Sequence, residues 1–176
     1  VLAMVDYTAA FDKVWRKDLI YKITAKDIPM CYVRFTHVFL ENRTNQVRFN
    51  DVLSKTKVFK QGVPQGSVLS PLLFAICTSN LPEQCRDCMV GLNADDVILA
   101  KRDAQIDAAE LETSEDLQAI KLWSDKWLLP LNPSKCEAFT FTPATRECQR
   151  QTNISSGDDR IQSVDVVGYL GVKFDK

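Results

Sequence analysis

The 176 residues are 45% hydrophobic and 26% charged, with 22 Lys+Arg against 23 Asp+Glu and a net charge of −1. That length and apolar content can bury a core, and they exclude collagen-like, extensively disordered and low-complexity classes. No apolar run approaches the ~20 residues of a membrane span, and the opening VLAMVDY has no signal-peptide features, so no membrane partner is expected. Position 1 is not Met and opens straight into an apolar run, so the chain is expected to belong to a longer protein.

Taken in order, LAMVDY is a short buried strand ending at Asp6. The spacing of Val14, Leu19 and Ile23 predicts a helix from Asp12 to about Lys26, stopped by Pro29. YVRFTHVFL is a second apolar-periodic stretch. QVRFN and VLSKTKVF flank Asn50-Asp51, a hairpin signal. The Gly/Pro-rich QGVPQGS leads into an apolar helix from about Pro71. MVGL and VILA enclose Asn93-Ala94-Asp95-Asp96, a second hairpin with two carboxylates at its tip.

Asp103 is placed to cap a long helix whose buried face is Ile106, Ala109, Thr113, Leu117, Ile120, Trp123 and Trp127, with Pro130 and Pro133 stopping it. EAFTF is a strand, TPATRECQRQTNISSGDDR a polar connection, and SVDVVGYLGVKF a closing strand pair. With neither repeat nor linker visible, the pattern predicts one folded α+β unit, an antiparallel sheet layered with helices.

Charge is segregated. Residues 1–60 hold 11 Lys+Arg and 6 Asp+Glu, residues 61–134 hold 5 and 11, and residues 135–176 hold 6 of each. The near-neutral total hides a basic first third. The six cysteines (Cys31, Cys77, Cys85, Cys88, Cys136, Cys148) sit among ample core residues, so free thiols are expected rather than a disulfide framework. Cys85 and Cys88 form C-x-x-C, but no second closely spaced pair exists to complete a zinc site.

Carboxylates stand where strands end: Asp6, and the adjacent pair Asp95-Asp96. A solvated turn is the ordinary reading of such residues. Two adjacent negative charges between apolar strands nonetheless repel, and a divalent cation with hard oxygen ligands would relieve that repulsion. Were Asp6 on the neighbouring strand, three carboxylates could hold two ions ~3.5–4 Å apart, the spacing of two-metal phosphoryl transfer. Gly62 and Gly66 permit close backbone approach to a ligand, and Gln65 and Ser67 supply polar groups, although the loop lacks the lysine of a P-loop.

VDYTAAFDKVW, GVPQGSVLSPLLF, ADD between apolar strands, LNPSKCE and YLGVKFD stand in the order of the palm motifs of reverse transcriptases. Over nearly its whole length the chain resembles the reverse transcriptase domain of a non-LTR (LINE-type) retrotransposon. The resemblance implies a polymerase palm-type antiparallel sheet with helices on one face and a fingers hairpin near 46–60, with upstream fingers and downstream thumb outside residues 1–176. It implies an RNA-directed DNA polymerase that adds dNTPs to a DNA primer on an RNA template. Two Mg²⁺ ions, replaceable by Mn²⁺, would be its cofactors, and the parent element would work in the nucleus.

Residue by residue, the resemblance implies that Asp6 and Asp95 ligate both ions and that Asp96 completes the acidic cluster. Asp12 would be structural. Phe11 would stand against the sugar 2′ position, although a core Phe at a helix start reads the same in sequence. Tyr7, Gln65 and Gly66 would lie at the incoming nucleotide. Lys135 would protonate pyrophosphate, against the plainer reading of a solvated charge. Tyr169, Leu170 and Gly171 would form the primer grip. Arg43 and Arg48 could touch template phosphates or simply lie at the surface.

Trp123 and Trp127, four residues apart, read as core. His37 and Asp158-Asp159 receive no role, and the Asn153 sequon lacks a secretory signal. The chain departs from the family pattern at Asn93, where an aromatic normally precedes ADD. That departure raises an alternative: a catalytically inactive fragment of a decayed element copy that keeps the fold and weak metal or nucleic-acid binding. On either reading, these residues alone are expected to polymerise poorly.

Overall fold

The structure is a computed structural model describing residues 1–144, 146–147 and 149–175; Cys148 lies outside the described residues. Read from sequence as one folded unit, the chain groups into two compact units, Ala9–Ser79 and the combination of Val1–Thr8 with Asn80–Lys176. Strand β1 (Leu2–Val5) opens the second of these.

The Ala9–Ser79 unit carries α1 (Ala10–Lys13), α2 (Arg16–Ala25) and α3 (Met30–Leu40). After them come the short strands β2 (Thr44–Asn45), β3 (Arg48–Phe49), β4 (Val52–Leu53) and β5 (Lys57–Val58), then α4 (Ser70–Thr78). The single helix expected from Asp12 to Lys26 is broken, because Val14 and Trp15 are extended. The break turns carbonyls outward: those of Phe11 and Val14 accept the N–H groups of Val63 (2.8 Å) and Gly62 (2.7 Å). Arg16 reinforces the junction by donating to the carbonyls of Phe59, Gln61 and Gly62 at 2.8–2.9 Å.

Helix α2 packs against α3 and α4 through Leu19, Ile23, Val33, Leu73 and Phe74. Each fully buried side chain of this kind contributes about 1.5–3 kcal/mol. β3 and β4 form the expected hairpin, and β2 and β5 extend it. Asn50 and Asp51 in its turn both have positive φ (44° and 63°), the backbone of the primed turns that match strand twist.

In the other unit, a 3₁₀ turn (Pro82–Gln84) precedes β6 (Met89–Asn93) and β7 (Asp96–Ala100), followed by α5 (Ile106–Lys126) and β8 (Glu137–Phe139). Then come β9 (Ser155–Ser156), β10 (Asp159–Arg160), β11 (Gln162–Ser163), β12 (Val166–Tyr169) and β13 (Val172–Asp175). The main sheet has the order β11-β8-β1-β7-β6 and is antiparallel except for the β11–β8 pair. Ala3, Val5, Val97, Leu99 and Ala138 face a core to which α5 contributes Ala109, Leu117, Ile120 and Trp123.

Helix α5 begins slightly later than Asp103 suggested. Gln105 is its N-cap, without a side-chain capping bond, while Asp103 accepts the Gln105 N–H in a local turn (2.8 Å). Ile106 and Trp127, placed on the buried face from periodicity, are only half-buried, and the polar Glu110 and Asp116 are buried instead. Among the described residues the five cysteines are free thiols.

Candidate active site

Strand register assembles the acidic residues. β1 pairs with β7 as Val5↔Val97 and Met4↔Ile98, so the register carried one step further sets Asp6 against Asp96 at neighbouring strand ends, with the Cα spacing of about 5 Å that opposed antiparallel residues have. β6 continues the row, with Asn93 opposite Asp96. Alternation sends Ala3, Val5, Val97 and Leu99 into the core, which leaves Asp6 and Asp96 together on the opposite face. Asp95 occupies the two-residue turn beside Ala94, whose φ is 52°.

This row is electrostatically uncomfortable. Asp96 is held above the usual carboxylate range, first by burial and then by the charges of Asp95 and Asp6. The Oδ1 atom of Asp6 is buried with no hydrogen-bond partner. An orphaned carboxylate oxygen among like charges suits a hard cation, so the donor set fits magnesium. Among the described residues, however, no three acidic, His or Cys side chains already converge as a metal cluster. The arrangement is a row of oxygen donors, not a closed cage.

A turn carrying Lys135 is fastened to the same strand end. Asn132 N–H donates to the Asp6 carbonyl (2.9 Å), and Thr8 N–H donates to that of Pro130 (2.9 Å). Cys136 is buried and its thiol is pushed up by that burial. Lys135 is exposed and pairs with no carboxylate among the described residues.

In the Ala9–Ser79 unit, Phe11, Gln65 and Gly66 meet in one open pocket of about 380 Å³, with Ser67, Val68, Ser70 and Pro71 as the other walls. Phe11 stacks on Phe74, ring centroids 4.7 Å apart, which fixes the ring that faces the pocket. Gln65 donates to the Asp12 carboxylate (3.0 Å). Gly66 has φ +80°, and a Cβ there would meet nothing within 4 Å, so backbone conformation demands this glycine and space does not.

The family model described as reverse transcriptase (RNA-dependent DNA polymerase) matches residues 1–174. The chain belongs to the reverse transcriptase family. It is 32% identical over 99% of its length to the RNA-directed DNA polymerase from mobile element jockey of Drosophila melanogaster. It is 31% identical over 98% of its length to the probable RNA-directed DNA polymerase from transposon BS of the same organism. It spans about a fifth of these relatives, 19% and 20% of their lengths. The structure of apo telomerase from Candida tropicalis shares the fold: TM-score 0.67 at 14% identity, covering 99% of this chain and 33% of that one.

Within this reverse transcriptase domain, the residues expected at the primer grip lie on the β12–β13 hairpin. Leu170 and Gly171 form its turn, with φ of 49° and 81°, and the Tyr169 hydroxyl lies 3.8 Å from where a Cβ on Gly91 would stand. Gly91 lies two residues before Asn93 and on the same face, so Tyr169 reaches the sheet beside the acidic row. Tyr7 is placed differently from a ligand-facing residue: its side chain is only 5% exposed, and its backbone pairs with Leu131. Tyr7 therefore offers packing and main chain.

Arg43 lies over the Phe59 ring and Arg48 pairs with Asp51, both in the exposed hairpin region. Trp123 is core, as its spacing indicated. His37 pairs with Glu41, at 3.6 Å. Periodicity did not reveal Asp116, whose two oxygens accept the N–H groups of Arg86, Asp87 and Cys88 at 2.9, 3.0 and 2.7 Å. Burial alone would raise that carboxyl, but the three donors hold it below the usual range. The bond set tethers the C-x-x-C turn entering β6. The Cys85 and Cys88 thiols are pushed up to about 12 and about 11, mainly by burial.

Proposed function

We propose that this chain is the catalytic core of an RNA-directed DNA polymerase from a non-LTR retrotransposon, joining dNTPs to a DNA primer 3′-hydroxyl on an RNA template. The observation that best supports this reading is the register that pairs the ends of β1 and β7, with a buried, unpartnered Asp6 oxygen in the resulting acidic row. Asp6 and Asp95 would hold two Mg²⁺ ions, with Asp96 completing the charge and Mn²⁺ able to substitute. Bound there, the ions would supply activation of the primer hydroxyl and charge stabilisation of the departing pyrophosphate.

The chain's own side chains have separable tasks. Phe11, braced by Phe74, would crowd a ribose 2′-hydroxyl and so favour deoxynucleotides. Gln65, oriented by Asp12, and Gly66 would offer polar and main-chain contacts to the nucleotide and template. The Lys135 ammonium would hold a proton for the leaving group. Tyr169, Leu170 and Gly171 would steady the primer end. We place the longer parent protein in the nucleus, where its product would be inserted; no helix among the described residues is long and apolar enough to cross a membrane.

Primer extension on an RNA template with Mg²⁺ or Mn²⁺ tests the reading. It would be run on this chain and on a version flanked by the fingers and thumb of a jockey-type relative. Extension that disappears in Asp95→Asn is the expected result. Asn93 favours a second reading, an inactive copy. Asn93 is exposed at the end of β6. Activity restored by Asn93→Phe would locate the defect there. Inactivity of the extended version with either residue at 93 would establish the inactive copy instead.

A further inference from the structure

The segment beside β1 is one strand interrupted at the level of the acidic row. Leu131 pairs with Tyr7, and Glu137 pairs with Met4, so residues 132–136 stand opposite only Val5 and Asp6. Three residues are therefore extruded from the sheet edge, a large bulge of the kind that re-aims side chains next to active sites. Pro133 starts the extrusion, because it has no N–H to continue the ladder.

Asn132 closes the bulge from both ends. Its N–H donates to the Asp6 carbonyl (2.9 Å), and its own carbonyl accepts the N–H groups of Lys135 (3.0 Å) and Cys136 (3.2 Å) and the Cys136 thiol (3.3 Å). Its side-chain oxygen accepts the Ser134 hydroxyl (2.7 Å). The Lys135 main chain is thus two hydrogen bonds from Asp6, and its exposed ammonium is left unpaired among the described residues.

We infer that Asn132 and Ser134 are positioning residues: their side-chain clasp holds the three-residue bulge that sets Lys135 at the acidic row, for a phosphate group bound there. The inference rests on the polymerase reading for its ligand, pyrophosphate, but not for the clasp itself. Neither residue touches the reacting atoms. Their effect is to fix the main chain from which the flexible Lys135 side chain projects.

The test uses this chain, with amide hydrogen exchange and pyrophosphate titration in Mg²⁺ both read by NMR. Asn132→Ala and Ser134→Ala should each speed exchange at the Lys135 and Cys136 amides roughly fivefold, the size of one neutral hydrogen bond, while Leu99 in β7 stays unchanged. Asn132→Asp, which keeps the acceptor, should exchange like the wild type. Pyrophosphate should bind several-fold more weakly to Lys135→Ala and to both clasp variants. Unchanged exchange in Asn132→Ala and Ser134→Ala overturns the inference. So does pyrophosphate binding that depends on Lys135 but not on the clasp, or that is absent from the wild type. Failure of the polymerase reading is seen separately, as primer extension indifferent to Asp95→Asn.

Discussion

A Cβ on Gly62 would stand 2.7 Å from the carbonyl oxygen of Asp12, inside any real contact distance, and Gly62 also has φ +83°. The loop before PQG therefore lies directly on the backbone of the broken helix, and it does so only because residue 62 has no side chain. Gly62→Ala should destabilise the Ala9–Ser79 unit by at least about 2 kcal/mol, from left-handed strain plus a clash with main chain that cannot move aside. Urea unfolding measures the loss. A wild-type midpoint in the variant would contradict the packing.

Asp116 should matter to stability in acid. Its folded pKa is depressed, so its contribution is complete above the unfolded carboxyl value near ~3.9 and is lost as pH falls through the lower folded value. Asp116→Asn keeps the shape but puts a donating NH2 where one accepting oxygen stood, so at least one of the three backbone N–H groups loses its acceptor and the rest lose the charge, at about 1–3 kcal/mol. Thermal melts from neutral pH down to about pH 2 should show the wild-type advantage constant above ~3.9 and shrinking only below it.

Asp96 carries the opposite sign. Its folded pKa is raised, so the cost of ionising it builds as pH rises past the unfolded carboxyl value near ~3.9 and is complete once pH exceeds the higher folded value. In chelator at neutral pH, Asp96→Asn should melt slightly higher than wild type. Added Mg²⁺ should stabilise the wild type more than the variant, because the cation relieves repulsion that the variant lacks. Equal Mg²⁺ responses would remove the acidic row as a cation site.

Phe11→Ala should affect both sugar choice and stability. Losing the stack on Phe74 removes an aromatic contact and opens space, a destabilisation of about 3–5 kcal/mol for a fully buried ring and less for this half-buried one. In the extended polymerase, ribonucleotide incorporation should rise relative to deoxynucleotide incorporation. Unchanged discrimination by a folded variant would show that Phe11 is only a packing residue.

Much of the site was legible because hairpins announce themselves locally. Asn50-Asp51, the ADD turn and Leu170-Gly171 each lie between apolar runs and need no distant partner to be recognised. The break at Val14-Trp15 was hidden, since apolar spacing continues across it. Its cause is a loop far along the chain whose N–H groups take the freed carbonyls. Buried Asp116 was equally hidden, because its donors lie some thirty residues upstream.

Residue order alone determined the family, the strand-ending acids and the glycine loop, all properties of short contiguous stretches whose chemistry is written in side-chain type. Tertiary structure decided which acid faces which, that Tyr7 is packed inward, and that five residues bulge opposite two beside Asp6. Register and burial are relations between distant segments. A one-residue slip would turn every strand face over without changing a single local pattern.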